Sequence, residues 1–152
     1  MDRDLLLRGG ILILALLGIG TSAYLMYEHF VAPIACFTGS GCETVDNSVY
    51  SEVFGVPMSV IGLASYLGIF ALQLLSLRAR RPLADYGQLG VFGMALAGVV
   101  FAVYLTYLEF YVIHALCSWC LTSAAIITLI WLLSMWTLRE VRASTPSTNA
   151  AG

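Results

Sequence analysis

Four cysteines carry most of the chemistry this sequence offers: Cys36, Cys42, Cys117 and Cys120. The last two stand in Cys117-Ser-Trp-Cys120, opening a long apolar run. At the start of a helix the unpaired amide N–H groups and the partial positive charge favour a thiolate. The first thiol of such a motif therefore titrates below the free value of about 8.5, and the thiolate is the species that performs thiol–disulfide exchange. A ring closed by so few residues restricts the unfolded chain little, so a disulfide here suits switching better than bracing. Cys36 and Cys42 bracket Phe37-Thr-Gly-Ser-Gly41, a flexible segment that would let one cysteine move between an outside partner and Cys117. Two structural disulfides are the plainer alternative, since an even set of cysteines in an oxidising compartment forms a framework. Zinc is the other competitor, with His29 and His114 as helpers. Cys36-x5-Cys42 is not a usual zinc spacing, however, and a metal cage would need every thiol reduced.

The elements that hold these residues are membrane helices. Of the 152 residues 60% are hydrophobic and 11% charged, and the mean hydropathy is +0.89. Soluble domains carry roughly 45–50% apolar and about 25% charged residues. A fold this small cannot hide so much apolar surface from water. The same composition excludes intrinsic disorder, and the absence of lysine excludes nucleic-acid binding. Apolar stretches at 5–26, 58–77, 89–113 and 116–138 each reach the ~20 residues that cross a bilayer. Helix is the conformation that pairs every backbone group in lipid, so the expected fold is all-α: four transmembrane helices in one domain over 1–142, with a disordered tail at 143–152.

Arginines orient the chain. Arg3 and Arg8 precede the first span, Arg78, Arg80 and Arg81 lie between the second and third, and Arg139 and Arg142 follow the fourth. With four crossings all seven fall on one side, which the positive-inside rule makes cytoplasmic, together with both termini. All four cysteines then face the non-cytoplasmic side of the cell's inner membrane, where Glu28, Glu43, Asp46, Glu52 and Glu109 also lie. A cleaved signal peptide ending near Thr21-Ser22-Ala23 is the competing reading of the first span, but its apolar run reaches spanning length. Val45, Val49 and Val53 recur every four residues, and Gly55 with Pro57 forms a helix stop, so a short amphipathic helix is expected on the membrane surface over 45–54. It would cover a pocket in the bundle or serve as a connector. Tyr24, Tyr27, Tyr104, Tyr107, Tyr111 and Trp119 gather near the outer helix ends as an interfacial belt. Cys120 lies one turn deeper than Cys117, at the depth where a membrane quinone is the natural electron acceptor.

At these residues the chain resembles the vitamin K epoxide reductase family, and in particular its bacterial members. The resemblance rests on Cys36-x5-Cys42, Ser48, Phe54-Gly55-Val-Pro57-Met-Ser59 and Tyr107-Leu-Glu109 followed by Cys117-Ser-Trp-Cys120. It implies that Cys117 and Cys120 are the active-site pair, with Cys120 adjoining a quinone such as ubiquinone or menaquinone. It also implies that Cys36 and Cys42 shuttle electrons from a thioredoxin-like protein. Ser48 and Phe54 would border the quinone pocket, under a surface helix over 45–54. Glu109 receives no catalytic role and is read as a carboxylate bonded to backbone at the membrane edge. Vertebrate members carry a tyrosine four residues after the second active-site cysteine; here Ala124 stands there, which favours plain quinone over vitamin K epoxide. Many bacterial members are fused to a thioredoxin-like domain, whereas this chain ends soon after its fourth span, so a separate DsbA-like partner is expected.

The expected activity is thus a quinone-linked thiol–disulfide oxidoreductase that supports disulfide formation outside the cytoplasm. A DsbB-type oxidase does similar work, but its CxxC lies in the first outer loop. A scaffold with structural disulfides is the non-enzymatic alternative.

Overall fold

In the computed structural model the described residues are 2–31, 41–50, 52–53, 55–80 and 83–143. The elements run α1 (Asp2–Val31), α2 (Gly41–Asp46), β1 (Glu52–Val53), β2 (Val56–Pro57), α3 (Met58–Arg78), α4 (Leu83–Leu108), a π-helical turn (Glu109–Ile113) and α5 (Ser118–Ala143). Four of these segments are long and apolar enough to cross a membrane. They close into a ring in which α1 packs on α3 and α5, and α4 packs on the same two. Each helix runs past the apolar stretch that announces it. α4 starts at Leu83 and takes Asp85 and Gln88 into its first turns, because a helix continues beyond lipid wherever its backbone can pair.

The burial pattern is that of a protein dissolved in lipid. Leu6, Ile13, Leu17, Val100 and Val103 are exposed, while Gln73, Gln88, Ser134 and Thr137 are fully buried between helices. With hydrocarbon outside, apolar side chains gain little by turning inward, and of the buried polar ones Gln73, Ser134 and Thr137 donate to backbone carbonyls. The centre is filled by Ile11, Ala15, Tyr66, Ile69, Val91, Ala95 and Ile130, among others. Tyr66 ties α3 to α5 by donating its hydroxyl to the Ser123 carbonyl at 2.9 Å. At the end where arginines collect, Arg8 donates to Ser76 Oγ at 3.2 Å, and that hydroxyl donates to the Ala84 carbonyl at 2.9 Å. Those two bonds knit α1, α3 and the start of α4.

The first loop departs from expectation. The helix in it is α2, six residues long and ending at Asp46, and the expected amphipathic helix over 45–54 does not form. Ser48 ends it: both its amide, at 3.2 Å, and its hydroxyl, at 2.7 Å, donate to the Val45 carbonyl, the kind of local bond with which serine competes against helix. Val49, expected on the buried face, is 88% exposed. Beyond it β1 and β2 pair antiparallel with Glu52 opposite Pro57 and Val53 opposite Val56. Gly55, read from sequence as a helix stop, instead sits in the hairpin turn at φ 78°, a region open to glycine without steric cost.

Candidate active site

The π-helical turn at the end of α4 builds the site. His114 follows it in the left-handed region at φ 54°, and its amide bonds back to the Glu109 carbonyl. The Ala115 amide reaches the same carbonyl at 3.2 Å. This break reverses the chain within four residues and delivers Cys117 to the start of α5. There the Leu121 amide donates to the Cys117 carbonyl at 3.0 Å, and the Cys120 amide donates to Cys117 Sγ at 3.3 Å. Cys117 therefore caps α5, its sulfur taking the place of the usual serine or aspartate oxygen.

Both sulfurs are free thiols, Cys117 buried and Cys120 half-buried. The Cys117 thiol is held below its ordinary range. The Cys120 thiol hydrogen-bonded to it is the main cause, and the amides of Cys120 and Trp119 add to it; burial and the nearby Glu109 charge oppose the shift without cancelling it. The direction is the one the CxxC spacing predicts. Its principal support comes from the neighbouring thiol rather than from the helix end alone.

Glu109, the first residue of the π-helical turn, is only 3% exposed. Its Oε2 accepts from the Cys117 amide at 3.2 Å, so the backbone bond expected of it is present. The same carboxylate borders both cavities together with Cys120, a neighbour that sequence reading missed. The available signal was a lone carboxylate inside an apolar segment, eight positions before Cys117; ionisable groups at membrane depth are functional by default.

Two cavities meet at these residues. The outer, about 610 Å³, is bounded by Cys42, Ser48, Met58, Glu109, Cys117 and Cys120, among others. The inner, about 790 Å³, reaches between all four long helices and is walled by Ser22, Tyr66, Phe101, Glu109, Cys120 and Ser123, with further apolar side chains. Cys120 and Glu109 border both.

Cys42 lies on α2, 1% exposed and disulfide-bonded. Asp46 of the same helix pairs with His29 Nδ1 of α1 at 2.9 Å. Gly41 backs directly onto the Leu116 carbonyl, leaving no space there for a side chain. Ser48 reaches the outer cavity as expected, although its hydroxyl is committed to the Val45 carbonyl. Cys36 and Phe54, the remaining expected site residues, lie outside the described residues. Trp119 packs on Tyr24 with ring centroids 4.9 Å apart, and the Tyr24 hydroxyl donates to Glu28. Tyr107 and Tyr111 stack at 5.0 Å on the outer surface. Among the described residues no His, Cys, Asp or Glu cluster is suited to a metal ion. The lining of the inner cavity fits the chemistry of a quinone: its wall is mainly apolar with a few hydroxyls, and a thiol stands at its edge.

A multi-pass membrane protein with a thiolate-forming pair at the start of its last helix belongs among membrane redox proteins. The model of the vitamin K epoxide reductase family matches residues 10–135, and the chain belongs to that family. Membership makes the chain an oxidoreductase of thiol–disulfide type. Family members are in general quinone-linked and work with thioredoxin-like partners.

Proposed function

We propose that this protein oxidises a separate thioredoxin-like protein on the non-cytoplasmic face of the cell membrane and passes the electrons through two cysteine pairs to a membrane quinone. Residues 1–142 form the single domain that does so. The observation that carries this reading is the placing of the sulfurs. Cys42 and Cys117 border one cavity, and Cys120 borders both that one and the inner cavity.

The partner's dithiol reduces the pair formed by Cys36 and Cys42 and leaves as a disulfide. Cys42, buried and bordering the same cavity as Cys117, is the loop sulfur that attacks Cys117. That attack breaks the Cys117–Cys120 disulfide, forms a Cys42–Cys117 bond and leaves Cys120 reduced. Cys36 then attacks Cys42, restoring the loop disulfide and releasing Cys117 as a thiolate, the form its hydrogen bonds favour. One dithiol has become a disulfide and one disulfide a dithiol. A quinone, when bound, supplies a sink for two electrons and two protons. Cys120 borders the inner cavity that would hold it, while Ser48 borders the outer one on the loop side. Burial of the pair excludes water and keeps the exchange between sulfurs.

The test is quinone reduction by the detergent-purified protein with a reduced thioredoxin-like donor, using ubiquinone and menaquinone analogues. Turnover should fall to background in both C120A and C36A. Absence of wild-type turnover with either quinone, both disulfides staying intact, would overturn the relay and favour structural disulfides.

A further inference from the structure

Oxidising the Cys117–Cys120 pair requires the Cys120 thiol to lose its proton, and the relay described above provides no group to take it. Bulk water is a poor candidate, since Cys117 is buried and Cys120 half-buried. Among the described residues Glu109 is the carboxylate beside both cysteines: Oε2 accepts from the Cys117 amide at 3.2 Å, and with Cys120 it borders the same two cavities. It borders both cavities, so it joins the thiol pair to the space on either side. The backbone is shaped to put it there. The π-helical turn begins at Glu109, and it and the following two amides fold back on the Glu109 carbonyl, which aims the side chain under the start of α5.

We propose that Glu109 is the catalytic base of the active-site pair, accepting the Cys120 proton as the disulfide closes and releasing it into the inner cavity. The inference rests on the relay reading above. In the step, the Cys120 S–H bond breaks and its proton moves to a Glu109 oxygen. The Cys117–Cys120 bond forms between the existing Cys117 thiolate and Cys120. Two electrons pass to a quinone, whose reduction consumes the Glu109 proton and one more from the outer aqueous side. The carboxylate is then free for the next cycle, which balances protons and electrons.

The groups that share this environment are few. From α5 and the residue before it come Cys120 and Cys117. From α2 come the disulfide-bonded Cys42, and Asp46, already paired with His29 of α1. Tyr50 borders the outer cavity, and α3 contributes the neutral Met58 and Ser59 and, in the inner cavity, Tyr66, whose hydroxyl donates to the Ser123 carbonyl. None of these but the two thiols and Glu109 is both titratable and in contact with the reacting sulfurs.

Replacing Glu109 by Gln keeps an oxygen to accept the Cys117 amide and removes the base. Cys117 reactivity and turnover should then move in opposite senses. Without quinone, the midpoint of the Cys117 alkylation profile against pH should fall, because a negative charge that disfavours the thiolate is gone. Quinone-dependent turnover should nevertheless drop by about 100-fold, at the lower end of general-base effects of 10²–10⁴. E109D, which keeps the charge on a shorter arm, should recover part of the turnover and restore the alkylation midpoint. An E109Q protein that folds and turns over at the wild-type rate would overturn the role of Glu109 while leaving the relay standing. So would one whose alkylation midpoint and turnover fall together with its thermal stability and are not rescued by E109D, since that is what a purely structural carboxylate does. Wild-type protein inactive with every quinone would instead overturn the relay itself.

Discussion

The Cys117 thiol is held below its ordinary range by a few hydrogen bonds, the main one from Cys120, and a single substitution separates them. C120A deletes the thiol that donates to Cys117 while leaving the backbone amide of residue 120 at 3.3 Å from its sulfur. The sign is fixed by the depressed thiol: thiolate persists as pH falls below the ordinary thiol range and is lost only on passing through the lowered value. Removing the main cause moves that value up. Iodoacetamide trapping of the Cys117 peptide, read by mass spectrometry across pH, should therefore show a higher midpoint in C120A than in the reduced wild type. A rise of about one unit lowers the thiolate fraction at neutral pH about tenfold. An unchanged midpoint would mean that the amides alone hold the thiolate.

The helices and the loop between the first two differ in how openly the sequence declares them. A run of ~20 apolar residues has one stable conformation in lipid, so all four spans are legible, with only their polar ends misjudged. The loop offers no such constraint. Val45, Val49 and Val53 fit a helical period, yet a six-residue helix gains too few bonds to offset nucleation and ends where Ser48 competes for the Val45 carbonyl. A hairpin of two residue pairs has too little alternation to be read at all. What makes α2 useful is docking: it rests on α5 and the π-helical turn and is pinned to α1 by His29–Asp46. Gly41 is the closest approach, and in G41A the added methyl runs into the Leu116 carbonyl, part of the rigid backbone leading to Cys117. α2 must back away and take Cys42 with it. We expect G41A to lose transfer from a reduced thioredoxin-like donor by at least about tenfold, as misplacing reacting groups by ~1 Å costs up to about 100-fold. Direct oxidation of its Cys117–Cys120 dithiol by quinone should stay within about twofold of wild type. Equal loss of both steps would show that Gly41 supports the whole site rather than the loop.

At the scale of the molecule, the arginines and the cysteines are segregated to opposite ends. Arg3 approaches Glu140 at 3.9 Å and Arg8 bonds Ser76, so the start of α1, the end of α3 and the end of α5 share one face. Cys42, Cys117 and Cys120 lie at the other end, where α2 covers the bundle. This segregation was legible in the sequence because an even number of crossings returns every arginine to the same side. The cavities were not: Ser22, Tyr66, Phe101 and Ser123 come from four different helices, and only packing makes them neighbours. Arginine-rich segments are retained on the cytoplasmic side, so the cysteines should face outward. A membrane-impermeant maleimide applied to intact cells after mild reduction should label the wild-type protein. A cysteine placed by A143C at the arginine-rich end, with the four native cysteines replaced by serine, should react only after permeabilisation. Labelling in the reverse order would put the thiol pairs in the reducing cytoplasm, where disulfides do not persist, and a role in forming them outside would no longer be tenable.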